Sequence, residues 1–277
     1  MEKKVKDVLS ESGFAFKKQF GQNFITDENL LSAIVEYSGV DENGTVIEIG
    51  CGAGTLTRAI ARRAKKVYAY EIDTKLQPVL AKTLSGCENV EVVFKDFLKV
   101  RLDELEKTMP PYRVIANLPY YITTPLIMTF LEHSHKCLSL TVMVQEEVAD
   151  RLCAHADTPE YGAITANIAL RGTCEKVLKV SRTMFYPRPN VDSAVVKINI
   201  VEKRIDVKDS ALYKKVVQAA FSSRRKTLEN NLVNVFNLSR EQAKSALTQC
   251  GIDLKARGET LTPENFAALA DCLIDII

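Results

Sequence analysis

The apolar positions of this chain change their period along its length. The changes divide it into segments of strand and helix character. Thr45 to Ile49 is a short apolar run closed by glycines, and Thr55 to Ala64 carries apolar residues at helical spacing. Val67 to Ile72, Val90 to Phe94, Arg113 to Ala116 and Leu138 to Gln145 repeat the strand pattern. Helical stretches lie between them at Lys75 to about Leu84 and at Pro125 to Leu131. Ahead of them, Asp27 suits the N-cap of a helix through Leu30, Leu31, Ile34 and Val35, closed by Gly39. Strands alternating with helices predict an α/β domain with a mostly parallel sheet covered on both faces.

The pattern continues with helices at Glu147 to Leu152 and Ala163 to Leu170, then strands at Cys174 to Val180 and Ala194 to Ile200. Beyond about residue 204 the strand signal stops. Helical periodicity remains at Ser210 to Phe221, Thr227 to Phe236, Ser239 to Cys250 and Pro263 to Ile276, the last with Thr262 at the N-cap and Pro263 at the first helical position. This predicts two domains, 1–204 built on the sheet and 205–277 small and all-helical.

Ligands in open parallel sheets bind outside the carboxyl ends of the strands. Four such ends carry polar or flexible residues: Gly50 to Gly54, Glu71, Asp96 and Asn117. The first is Gly-x-Gly-x-Gly (Gly50, Gly52, Gly54) rather than the Gly-x-Gly-x-x-Gly expected of a dinucleotide pyrophosphate site. Glu71 is placed to take the hydroxyls of a ribose, and Asp96 to accept from the amino group of an adenine. A ribose, an adenine and no pyrophosphate predict S-adenosylmethionine. At the fourth end, Asn117-Leu118-Pro119-Tyr120 offers an uncharged amide and an aromatic face, which suit a planar base. Taken alone, these four residues fit a strand stop equally well.

Composition excludes more than it identifies. A net charge of +2 over 277 residues, with 46% hydrophobic and 26% charged positions, is ordinary for a globular chain and permits a nucleic-acid partner without requiring one. The basic clusters are local: Lys17 and Lys18 beside Phe20, and Ser222-Ser223-Arg224-Arg225-Lys226 at a helix junction, where phosphate contacts form easily. Seven scattered cysteines without a Cys-x-x-Cys pair point to reduced thiols, and three histidines make a metal site an unsuitable expectation. Neither a signal peptide nor an apolar run of membrane-spanning length is visible, so a cytoplasmic monomer is expected.

Glu-Ile-Gly-Cys-Gly-Ala-Gly from Glu48, Asn-Leu-Pro-Tyr from Asn117 and Phe-Tyr-Pro-Arg-Pro-Asn-Val-Asp-Ser from Phe185 together resemble the ribosomal RNA adenine dimethyltransferases, most closely the KsgA (RsmA) family. The likeness runs from Lys17-Lys18-Gln19-Phe20-Gly21-Gln22-Asn23 through Phe221 to Leu228 into the helical tail. It implies a Rossmann-like S-adenosylmethionine-dependent methyltransferase that dimethylates N6 of two adjacent adenosines near the 3′ end of 16S ribosomal RNA, in the assembling 30S subunit. By the same resemblance Asn23, Ile25, Gly50, Glu71, Asp96 and Asn117 line the cofactor site. The Asn117 side chain and the Leu118 carbonyl hold the adenine amino group, with Tyr120 and Phe185 on the faces of the flipped base. Lys17, Lys18, Arg224, Arg225 and Lys226 are the expected RNA contacts. Other readings remain at this point: a 23S ribosomal RNA dimethyltransferase, a nicotinamide-dependent dehydrogenase, or a non-catalytic RNA-binding assembly factor.

Overall fold

The computed structural model describes residues 23–118 and 122–277. In chain order it forms β1 (Phe24–Ile25), α1 (Glu28–Ser38), β2 (Thr45–Ile49), α2 (Thr55–Ala61), β3 (Lys66–Glu71), α3 (Gln77–Thr83), β4 (Val90–Phe94), α4 (Leu102–Leu105) and β5 (Tyr112–Asn117). Then follow α5 (Thr123–His133), β6 (Cys137–Gln145), α6 (Glu146–Leu152), α7 (Ala163–Arg171), β7 (Gly172–Val180), β8 (Phe185–Tyr186) and β9 (Ser193–Ile200). The chain ends in α8 (Ser210–Ala220), α9 (Leu228–Phe236), α10 (Arg240–Gln249) and α11 (Pro263–Leu273).

The expected caps are in place. The Asp27 side chain accepts from the Leu30 N–H, and Gly39 closes α1 in the left-handed conformation. Thr262 caps α11 in a capping box with Asn265. The second helix stops at Ala61, short of the expected Ala64, because the N–H groups of Arg63 and Ala64 both turn back to the Ile60 carbonyl.

One compact unit holds the described residues up to Ala149 together with Glu175–Ile200. Its seven-stranded sheet has the order β4-β3-β2-β5-β6-β9-β7, with β2 to β6 parallel and β9 antiparallel to β6. The apolar runs of β2 and β5 are buried as central strands require: Val46, Ile47, Val114 and Ile115 are fully enclosed. From β2 the chain winds outward through β3 and β4, then returns to β5 on the other side of β2. The carboxyl ends of β2 and β5 therefore flank the point where the winding reverses, which is where such sheets hold ligands. A separate ribbon pairs Phe24 with Tyr186 and Ile25 with Phe185.

The second unit comprises Asp150–Cys174 and Val201–Ile277. Besides the stretch expected from residue 205 onward, this unit takes in Asp150–Cys174, for a physical reason. Tyr161, Ala166 and Leu170 pack into one core with Tyr213, Val216, Val217 and Phe266, and the Tyr213 hydroxyl donates to the Ala166 carbonyl at 2.8 Å. The apolar face of α7 thus belongs to the helical unit. No helix among the described residues is long and apolar enough to cross a membrane.

Candidate active site

A cavity opens at the carboxyl ends of β2, β3, β4 and β5, within the sheet unit. The glycine loop forms its floor. Gly50, Gly52 and Gly54 have φ of +74°, +56° and +81°, in the region that favours glycine. Gly50 and Cys51 both donate to the Tyr70 carbonyl, which ties the loop to the end of β3. Space is as restrictive as torsion: a Cβ at Gly52 would lie 2.7 Å from the Phe24 ring. These glycines therefore let an aromatic wall and the loop main chain approach each other closely.

The acidic residues divide by environment. Glu71 is buried, and its carboxylate accepts from the N–H groups of Gly52, Ile72 and Asp73 at 2.8, 2.9 and 2.9 Å. Burial pushes its carboxyl up, against the opposing pull of those three donors. Three bonds leave lone-pair capacity for about one further donor such as a ribose hydroxyl. Asp96 lies at the cavity edge and caps the turn Phe97–Lys99 by accepting from the Leu98 N–H at 3.1 Å. Ile25 and Phe185 form apolar wall, both buried, with Phe185 at the strand position that pairs with Ile25.

Asn117 ends β5 and lines the cavity beside Gly50, and its Nδ2 donates to the Asn23 carbonyl at 2.9 Å. Leu118 follows, buried and also at the cavity wall. Pro119 and Tyr120, like Lys17 and Lys18, lie outside the described residues. The expected cofactor residues Asn23, Ile25, Gly50, Gly52, Glu71, Asp96 and Asn117 all line this one cavity, while Gly54 stands behind it against Leu80 as the N-cap of α2. The basic stretch belongs to the helical unit, between α8 and α9. There Arg225 and Lys226 are exposed, whereas Arg224 donates to the Pro159 carbonyl at 2.6 Å and pairs with Glu259 at 3.7 Å. Among the described residues no group of His, Cys, Asp and Glu is arranged to hold a metal ion.

The family model of the ribosomal RNA adenine dimethylases matches residues 13–275. The chain belongs to this family. It is 45% identical to the ribosomal RNA small subunit methyltransferase A of Bacillus licheniformis, over 99% of this chain and 97% of that one. It is 41% identical to the protein of the same name from Clostridium botulinum, over 98% and 99% respectively. Among solved structures it is similar to a dimethyladenosine transferase from Plasmodium falciparum (TM-score 0.75, 26% identity, 91% of this chain and 97% of that one). It is also similar to the 23S rRNA methyltransferase ErmE (TM-score 0.70, 28% identity, 91% and 99%). As a ribosomal RNA adenine dimethylase the chain is a methyltransferase that uses S-adenosylmethionine.

Two cavity residues of this dimethylase carry signals that the sequence reading left without a role. Glu48 sits inside β2, is almost wholly enclosed, and its Oε2 has no hydrogen-bond partner. Burial pushes its carboxyl up to about 8, the Thr57 hydroxyl opposes this and the Glu71 charge adds to it. Such an orphaned acid fits a cofactor whose sulfonium and ammonium groups are positive, since a cation favours the ionised form. The visible signal was a lone acid in an apolar strand, Val46-Ile47-Glu48-Ile49. Cys51 faces the same wall, and burial with the Glu48 and Glu71 charges pushes its thiol far up. It stays protonated and is no candidate for a covalent nucleophile.

Proposed function

We propose that this dimethylase methylates N6 of two adjacent adenosines near the 3′ end of 16S ribosomal RNA, twice each, in the assembling small subunit. It acts as a cytoplasmic monomer. The observation that carries this reading is the uncharged Asn117 amide at the end of β5, beside the glycine loop in a cavity whose acidic residues, Glu48, Glu71 and Asp96, come from other elements. Bound S-adenosylmethionine supplies an electrophilic methyl group. The chain's own task is to make a poor nucleophile attack it. The lone pair of an adenine amino group is delocalised into the ring. The Asn117 side-chain oxygen and the Leu118 carbonyl accept the two amino protons and draw the nitrogen toward tetrahedral geometry, which returns the lone pair to it. Phe185 and Tyr120 hold the faces of the flipped base. The proton leaves only as the new bond makes the nitrogen acidic, so no strong general base is needed. Positioning of this kind can supply roughly 7–11 kcal/mol. Gly50, Gly52, Gly54, Asn23, Ile25, Glu71 and Asp96 form the cofactor's share of the site.

The small-subunit assignment is supported by relatives of that name at 41–45% identity over 98–99% of the chain, against 28% for the 23S enzyme. The domain 205–277, enlarged by Asp150–Cys174, carries RNA recognition through Arg224, Arg225 and Lys226, with Lys17 and Lys18 as further RNA contacts. Incubating immature 30S particles and free 23S RNA with labelled cofactor, then measuring dimethyladenosine by mass spectrometry, tests the reading. We expect label in the 30S particles, and none there after Asn117→Ala although that variant still binds cofactor. Label in 23S RNA alone, or full activity of Asn117→Ala, would overturn it.

A further inference from the structure

A carboxamide has two ends of similar shape and opposite hydrogen-bonding character, so Asn117 serves the proposed reaction in one orientation only. Its oxygen must meet the adenine amino protons; turned over, its NH2 would confront them donor to donor. Something has to choose. The Asn23 main-chain carbonyl lies 2.9 Å from Asn117 Nδ2, and a carbonyl oxygen accepts only, so the atom facing it must be the nitrogen. The oxygen is thereby left for the substrate.

The carbonyl is itself held from several sides. Asn23 precedes β1, whose two residues pair with Phe185 and Tyr186. The next residue, Thr26, donates through its N–H to the Met184 carbonyl at 3.2 Å. The Thr55 hydroxyl donates to the Ile25 carbonyl at 3.4 Å, and the Phe24 ring lies against Gly52. A segment 94 residues away in sequence therefore sets which end of the amide reaches the cavity.

We propose that the Asn23 main-chain carbonyl is a positioning group for methyl transfer, fixing the Asn117 carboxamide with its oxygen toward the adenine N6. This rests on the reading of Asn117 as the adenine reader, and it assigns the β1–β8 ribbon a part in the chemistry as well as in packing. The requirement is a donor on the Asn23 side and an acceptor on the substrate side. Asn117→Asp separates the two by pH. A protonated aspartic acid can donate its O–H to the Asn23 carbonyl and still present an oxygen to the amine. An ionised one has no donor and sets its charge against the carbonyl dipole.

Single-turnover methylation of 30S particles is measured for wild type, Asn117→Asp and Asn117→Ala across a common pH range. The ionisable residues Glu48, Cys51, Tyr70, Glu71, Lys95 and Asp96 line the same cavity and are common to all three proteins, so the informative quantity is each variant's rate relative to wild type. We expect the Asn117→Asp ratio to be highest at acid pH and to fall about tenfold per pH unit once the new carboxyl ionises. The Asn117→Ala ratio should be low and flat. A flat or rising Asn117→Asp ratio would overturn the inference, as would no transfer at any pH in a variant that still binds cofactor by calorimetry. A second measurement needs no variant: 15N NMR of cofactor-free wild type should show the Asn117 side-chain N–H protected from exchange, and an unprotected one also counts against it. Wild type that methylates no RNA at all would instead bring down the reading beneath.

Discussion

Glu48→Gln separates the stability of the cavity from its affinity for a cation. In the cofactor-free protein the Glu48 carboxyl titrates near 8, chiefly because burial disfavours its charge, against an ordinary value of 4.5. Between those values the folded chain keeps a proton that the unfolded chain releases, so stability falls as pH rises through the interval. The whole interval is worth roughly 5 kcal/mol, of which roughly 3–4 falls between pH 5 and pH 8. Glutamine keeps the shape and neutrality of the protonated acid and does not titrate. The variant should therefore match wild type near pH 5 and exceed it by a few kcal/mol at pH 8. Urea titration of both proteins at each pH measures this, with hydrogen exchange at the Thr45–Ile49 amides reading the sheet unit apart from the helical one. The same substitution should weaken binding of S-adenosylmethionine more than that of its neutral-sulfur product, because both carry an ammonium group but only the former adds a sulfonium charge for an ionised Glu48 to attract. Parallel pH slopes of stability in the two proteins would refute the buried-acid account.

Three further outcomes follow from the geometry. Gly52→Ala puts a methyl group 2.7 Å from the Phe24 ring at a φ of +56°, and should cost about tenfold or more in cofactor affinity by calorimetry. Adding Phe24→Ala to open the space should restore part of that loss. Glu106 is buried and accepts from the hydroxyls of Tyr112 and Ser134 and from the His135 N–H, so Glu106→Ala should lower stability by roughly 3 kcal/mol in urea titration. Burial raises this carboxyl but the hydrogen bonds hold it below the ordinary range, so its contribution is present at neutral pH and disappears as pH falls through the depressed value. Replacing Arg225 and Lys226 by Gln should reduce the salt dependence of RNA binding by about two phosphate contacts, read as the slope of log affinity against log salt. An unchanged slope would remove both from the RNA surface.

What the sequence disclosed follows from the range of the interactions involved. A glycine loop is a local demand on backbone torsion, so Gly50, Gly52 and Gly54 were legible where they stand. The strand ends at Glu71, Asp96 and Asn117 were legible because apolar runs stop there, and the parallel topology brings such ends together. Contacts between distant segments leave no such trace. The Asn23–Asn117 bond joins a two-residue strand flank to a sheet end, and β1 and β8 are too short to show any alternation. An amphipathic helix such as α7 has the same periodicity whichever core it enters, so the pattern of Ala163 to Leu170 could not show that it packs with Tyr213 and Phe266. Arg224 read as one of three equivalent charges, because its partner Glu259 lies far along the chain.

The distribution of charge in the cavity bears on why the reacting end is an amide. Glu48, Glu71 and Asp96 come from β2, β3 and the turn after β4. On the proposed reading they favour a cofactor that is positive at sulfur over its neutral-sulfur product, which helps exchange one for the other between the two methylations of each base. A fourth carboxylate at residue 117 would strengthen that attraction while taking away the donor that the Asn23 carbonyl requires. An amide satisfies both neighbours at once: nitrogen toward a fixed main-chain acceptor, oxygen toward a nitrogen that becomes acidic only during transfer. On the proposed reading the charged groups serve ligand exchange, and the neutral group serves the chemistry. Such a division lets the proposed reaction proceed beside three acids without a general base.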